Sequence, residues 1–127
     1  MSVPVTVQRA LSVAARRYAK KTALRYQGRG LTYADLDARA CRLAKELEAL
    51  GVRPSDRVGV MLSNSPDYVV VALACAKATF CMVPINYHFT GNEVARQLED
   101  CAATALIYSP QFSATLTSAA LAPNLYR

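Results

Sequence analysis

His88 is the only histidine, and no carboxylate lies near it in sequence to orient it as a base. Asp35 and Asp37 are two residues apart, so on a helix they point to different sides and cannot form an acid–base pair. Cys41, Cys75, Cys81 and Cys101 make no CxxC, and zinc spacing is absent. They read as reduced, mostly buried thiols. Glycine occurs at 28, 30, 51, 59 and 91, a set that yields neither GxGxxG nor GxxxxGK(S/T). Ser63-Asn64-Ser65 is a polar cluster, but Pro66 and Asp67 after it fit a helix cap better than a ligand loop. Tyr33, Tyr68, Tyr87 and Tyr108 lie in separate elements and build no platform for stacking bases. Residue chemistry alone assigns no catalytic, cofactor-binding or metal-ligating residue.

The elements that would position these groups are plainer. Val7, Leu11, Ala14 or Ala15, and Tyr18 recur at helical spacing and predict an amphipathic helix over 5–20. A short hairpin follows, with Thr22–Tyr26 as a strand and Gly28-Arg29-Gly30 as its turn. Thr32 and Asp35 form a capping pattern for a helix whose inner stripe is Leu36, Ala40, Leu43, Leu47 and Leu50, ended by Gly51. Arg57–Leu62, Phe80–Ile85 and Thr104–Tyr108 are apolar runs of strand length. Between them lie a helix over 66–78, apolar nearly all round, and a helix opened by Thr90 and Glu93 and lined by Val94, Leu98 and Cys101. Ser109-Pro110 opens a last helix, with Phe112 and Leu116 inward. Apolar strands alternating with helices predict an α/β fold, a Rossmann-like parallel sheet with helices on both faces. The 127 residues read as a single domain.

With 53% apolar and 19% charged residues, the composition excludes disorder, and no apolar stretch is long enough to span a membrane. The net charge of +6 is uneven: Arg9, Arg16, Arg17, Lys20, Lys21, Arg25 and Arg29 precede the first acid, Asp35. Three readings fit: a mitochondrial presequence, a nucleic-acid or anionic-lipid patch, or the solvated face of a helix. The solvated face is preferred, because the basic residues run on through the hairpin instead of stopping before it. No nucleic-acid partner is expected.

Leu31-Thr-Tyr-Ala-Asp-Leu36 resembles the L-T-Y-x-x-L opening of the adenylate-forming enzymes, the superfamily of acyl-CoA synthetases, luciferases and peptide-synthetase adenylation domains. Leu43-Ala44 and Leu47 to Val52 resemble its L-A-x-x-L-x-x-x-G-V. Pro54-Ser-Asp-Arg-Val58 resembles its G-D-R-V strand, with Ser55 where glycine is common. Asn64-Ser65-Pro66, Ala76-Lys77-Ala78, Val83-Pro84-Ile85-Asn86, Thr90, Glu93 and Gln97-Leu98-Glu99-Asp100 follow in family order. Asn86 is closer to the acyl- and aryl-CoA ligases than to the peptide-synthetase domains. Thr79 departs from the pattern, standing where the family usually has glycine.

The resemblance implies the N-terminal subdomain of the acyl-CoA synthetase fold. It implies that the full-length protein is an acid–thiol ligase using ATP, Mg²⁺ and CoA. A carboxylate would attack the α-phosphate of ATP to give acyl-AMP, and CoA would then displace AMP. The family's phosphate loop and catalytic lysine come later in its sequences. The 127 residues are therefore expected to be an inactive fragment that serves as scaffold, binds none of the three cofactors and works in the cytoplasm. A homodimer is expected from exposure of the 66–78 helix. The rival reading is a stand-alone, non-catalytic α/β interaction module.

Overall fold

Two hydroxyl–carboxylate pairs set the starts of two helices. In the computed structural model, which describes residues 6–119, 121 and 125, Asp35 N–H donates to Thr32 Oγ1 while Thr32 N–H donates to the Asp35 carboxylate. Thr90 and Glu93 repeat this reciprocal arrangement. The first pair opens α2 (Tyr33–Leu50), which ends at Gly51 with φ 107°. The second opens α4 (Gly91–Asp100).

The remaining elements, in chain order, are α1 (Val7–Arg17), β1 (Thr22–Tyr26), β2 (Arg29–Thr32), β3 (Arg57–Met61), α3 (Pro66–Ala78), β4 (Cys81–Pro84), β5 (Ala105–Tyr108), a 3₁₀ turn over Pro110–Phe112, and α5 (Ser113–Thr117). β1 and β2 pair as the expected antiparallel hairpin, but the turn is Gln27-Gly28, both at positive φ, and Arg29 and Gly30 belong to β2, paired with Tyr26 and Arg25. The other three strands form a parallel sheet in the order β4-β3-β5. The chain crosses from β3 to β4 through α3 and from β4 to β5 through α4. These two helices cover opposite faces, the doubly wound arrangement expected.

Side chains alternate across the central strand. Val58, Val60 and Leu62 join Ala40, Ala44 and Leu47 of α2 and Val71, Ala74, Cys75 and Ala78 of α3 in one core. Met61 turns the other way, with Leu106, toward Val94 and Leu98 of α4 and Leu116 of α5. Gly59 lies on this second face. A Cβ there would come within 2.6 Å of Leu98 Cδ2 and 3.0 Å of Ile85 Cδ1, so the missing side chain makes room for α4. α1 lies outermost, against α2 and α3.

Several expectations change. The first helix spans Val7–Arg17, not 5–20: Tyr18 caps it, and Lys21 N–H donates to the Tyr18 carbonyl in a tight turn. Val5 lies outside the described residues. Leu50 is 49% exposed. It is the last residue of α2, and Val52, after the left-handed Gly51, takes the core place. After Ser109 the chain first makes the 3₁₀ turn, and the α-helix starts only at Ser113. Of the four free thiols, Cys75 alone is buried. Cys41 and Cys101 are half-buried, and Cys81 faces solvent on edge strand β4. The helix 66–78 does need cover on several sides, but α1, α2 and β4 supply it within this chain. Among its residues only Asp67 is exposed. An apolar hollow lies instead between α2 and the free edge of β5, where Leu50 is exposed and Leu43 and Ile107 are half-buried. Among the described residues no helix is long and apolar enough to cross a membrane.

Candidate functional site

In a doubly wound sheet, ligands bind at the carboxyl ends of strands, where neighbouring connections leave for opposite faces. Here that place lies between β3 and β5. The loop Ser63-Asn64-Ser65 leads from β3 to α3 on one face, and Ser109-Pro110 leads from β5 toward α5 on the other. A pocket of about 260 Å³ opens there, lined by Leu43, Leu62, Val70, Val71, Ile107, Tyr108 and Pro110, with Asp67 and Ser109 as its polar members. It contains a carboxylate and no cation. Such a lining accepts apolar groups and disfavours phosphate.

The loops around it are ordered by their own backbone. Ser65 is extended, at φ −161° and ψ 167°, ahead of Pro66, but its hydroxyl makes no capping hydrogen bond. The cap expected there consists of Pro66 at the first position and Asp67 in the first turn alone. Asn86 Oδ1 accepts from His88 N–H at 2.9 Å, which shapes the turn after β4. His88 is exposed, and its ring meets Tyr87 at 4.5 Å. Tyr87 stacks on Phe112, with centroids 5.6 Å apart. That stack joins the loop after β4 to the turn after β5, a contact between residues 25 apart that no local sequence signal announces.

The other polar groups do structural work at the opposite end of the sheet. Asp56 accepts from Arg53 N–H at 2.9 Å and from the Thr104 hydroxyl. Arg57 donates Nε to the Cys101 carbonyl at 2.8 Å and Nη2 to the Ala102 carbonyl at 3.0 Å. The Asp-Arg of the G-D-R-V segment thus fastens the end of α4 and the start of β5 to the start of β3. Lys77 is ion-paired with Asp37 across the α3–α2 contact. Burial works against the Lys77 charge, but the Asp37 carboxylate outweighs it and holds the ammonium above its ordinary pKa. Asp35, two residues from Asp37, is engaged in its cap. The Thr32 N–H lowers its pKa. The two aspartates are thus separated, as their spacing implies. Burial pushes the Cys75 thiol up to about 11, so it is not a nucleophile at neutral pH.

None of the glycines sits in a phosphate cradle. Gly28 and Gly30 belong to the hairpin, Gly51 ends α2, Gly59 is sealed beneath Leu98, and Gly91 packs 2.7 Å (at its would-be Cβ) from the Thr115 carbonyl. Among the described residues no group of three or more His, Cys, Asp or Glu side chains could hold a metal ion.

The sequence profile of the family described as "AMP-binding enzyme" matches residues 11–125. The chain belongs to this family. It is 40% identical over 99 residues to the feruloyl-CoA synthase of an Amycolatopsis species, covering 78% of this chain and 20% of that protein. It is 35% identical over 121 residues to tyrocidine synthase 3 of Brevibacillus parabrevis, covering 95% of this chain and 2% of that protein. Among solved structures, the anthranilate CoA ligase AuaEII superimposes with a TM-score of 0.85 at 26% identity, over 93% of this chain and 23% of that one. This AMP-binding family member has the fold of the N-terminal subdomain of acyl-CoA ligases, as its resemblance implies. The chain spans about a fifth of the length of its CoA-ligase relatives.

Proposed function

We propose that the chain is the N-terminal part of an ATP-dependent acyl-CoA ligase, in which these residues are scaffold and carry no catalytic group. The observation that carries the proposal is the family match over residues 11–125, set against a span of only 20% of the feruloyl-CoA synthase. The complete protein would join a carboxylate to CoA through acyl-AMP, consuming ATP with Mg²⁺. Aryl carboxylates are the first substrates to assay, since relatives are named for ferulate, indoleacetate and anthranilate. The geometry supports the division of labour. The polar side chains with well-defined partners, Asp56, Arg57, Asp37 and Lys77, are spent on holding elements together, and the pocket at the sheet's carboxyl end lacks a cation. A cytoplasmic location and a homodimer belong to the same proposal.

The test is carboxylate-dependent ATP–pyrophosphate exchange, followed by CoA thioester formation. Homogeneous 127-residue protein is expected to show neither, whereas the protein encoded by the whole reading frame shows both. Exchange above background by the 127 residues would overturn the scaffold assignment. A reading frame that stops after Arg127 would favour the interaction module.

A further inference from the structure

The positive N-terminal segment acquires a geometry in the fold. Leu11 of α1 is buried against α2 and α3, so the opposite side of the helix faces water. Arg9, Val13 and Arg16, at spacings of four and three, form one row along that side. Both arginines are exposed, and Val13 between them is 39% exposed. Beyond the helix end the cap and the turn carry further cations and an aromatic ring. Tyr18 is 49% exposed, with the Arg17 guanidinium 6.0 Å and the Lys21 ammonium 5.6 Å from its ring centroid. Lys20 beside it is also exposed. Among the described residues the one ion pair is Lys77 with Asp37, so none of these cations is matched by a carboxylate, and no acid occurs among residues 6–34.

A solvated helix face ordinarily mixes both signs of charge and leaves its apolar residues inside. This face does neither. The outer row of α1 presents Arg9 and Arg16 with Val13 between them, and the helix end and turn add Arg17, Lys20 and Lys21 around Tyr18. We propose that the outer face of α1 and the turn after it bind an anionic lipid surface. The cations match the negative potential of acidic headgroups, and Val13 and Tyr18 sit where short apolar and amphipathic groups reach the interface. The apolar pair favours lipid over a nucleic acid, whose phosphates would draw the cations but offer Val13 nothing. The inference goes beyond the ligase reading and uses the charge and exposure of this face in the 127 residues.

The 127-residue chain is mixed with vesicles of phosphatidylcholine containing one-third phosphatidylserine and sedimented. Binding is expected to exceed that to pure phosphatidylcholine by about tenfold or more, and to fall by a similar factor between low and high salt. The triple variant Arg9→Gln/Arg16→Gln/Arg17→Gln, with an unchanged circular dichroism spectrum, should lose the preference for phosphatidylserine. Val13→Ser should weaken binding about threefold without altering the salt dependence. Equal binding to both vesicles, or a triple variant that binds like the parent, would overturn the proposal. So would tight binding to a labelled single-stranded oligonucleotide unaffected by Val13→Ser, with no vesicle binding.

Discussion

The two faces of the central sheet are built from different residues. The face under α2 and α3 is filled mostly by small or β-branched side chains: Ala40, Ala44, Val58, Val60, Val71, Ala74, Cys75, Ala78 and Ala105. The face under α4 and α5 is filled by Met61, Ile85, Val94, Leu98, Leu106 and Leu116. Small residues let two long helices lie close to the strands and to each other, and leave room for α1 as a further layer. The second face has short helices of 10 and 5 residues, so longer side chains must bridge to the sheet, and Gly59 gives up its own side chain to admit them. One sheet thus carries a thick, tightly laminated side and a thin side that depends on a few large groups.

The sharpest way to break this contrast is Leu106→Ala. Leu106 is 1% exposed and stands at the centre of the thin face. Few neighbours can collapse into the hole, so urea unfolding is expected to show a loss of about 3 kcal/mol. A loss below about 1 kcal/mol would mean that the thin face is already loosely packed.

A smaller effect of opposite sign is expected on the thick side. α3 ends at Thr79 with φ 59° and ψ 32°, a left-handed conformation that suits glycine and crowds a β-branched side chain. Its carbonyl accepts from Ser55 N–H at 2.8 Å, and Ser55 is itself left-handed at φ 71°. Both are positions where the family resemblance expects glycine. Thr79→Gly should raise the unfolding free energy by about 1 kcal/mol. A drop would show that the Thr79 hydroxyl, which donates to the Ala78 carbonyl, matters more than the backbone strain.

A further effect on the thick side is one of pH. Cys75 is held neutral in the thick core, its pKa raised by burial from 9.0 to about 11. A raised acid pKa stabilises the fold below the unfolded value, and that contribution fades as pH climbs from about 9 toward the folded value. The urea midpoint of the parent should therefore fall faster than that of Cys75→Ala across this range. Parallel curves would place Cys75 in contact with water.

Local chemistry sufficed for much of this molecule. The two reciprocal caps, Gly51 after α2, Pro66 at the head of α3 and the run of apolar strands depend on neighbours within a few residues, so their types and spacing determine them. The positive φ at Thr79 was legible as well, from a threonine standing in a glycine's place. Position in space was not. Leu50 has the right helical spacing for the core yet is exposed, because Gly51 reverses the chain and Val52 fills the place. Cys81 belongs to an apolar run but lies on the outward side of an edge strand. The two carbonyls that Arg57 fastens come beside it only because the sheet order sets β5 and the end of α4 there. The Tyr87–Phe112 stack and the exposed row on α1 likewise depend on where whole elements pack. The strand order β4-β3-β5 comes from long-range pairing and from the crossing of α3 and α4 on opposite faces, which no local pattern contains. The sequence therefore determined the kinds of element and their ends. The tertiary structure decided which side chains were spent on fastening the sheet and which were left facing water.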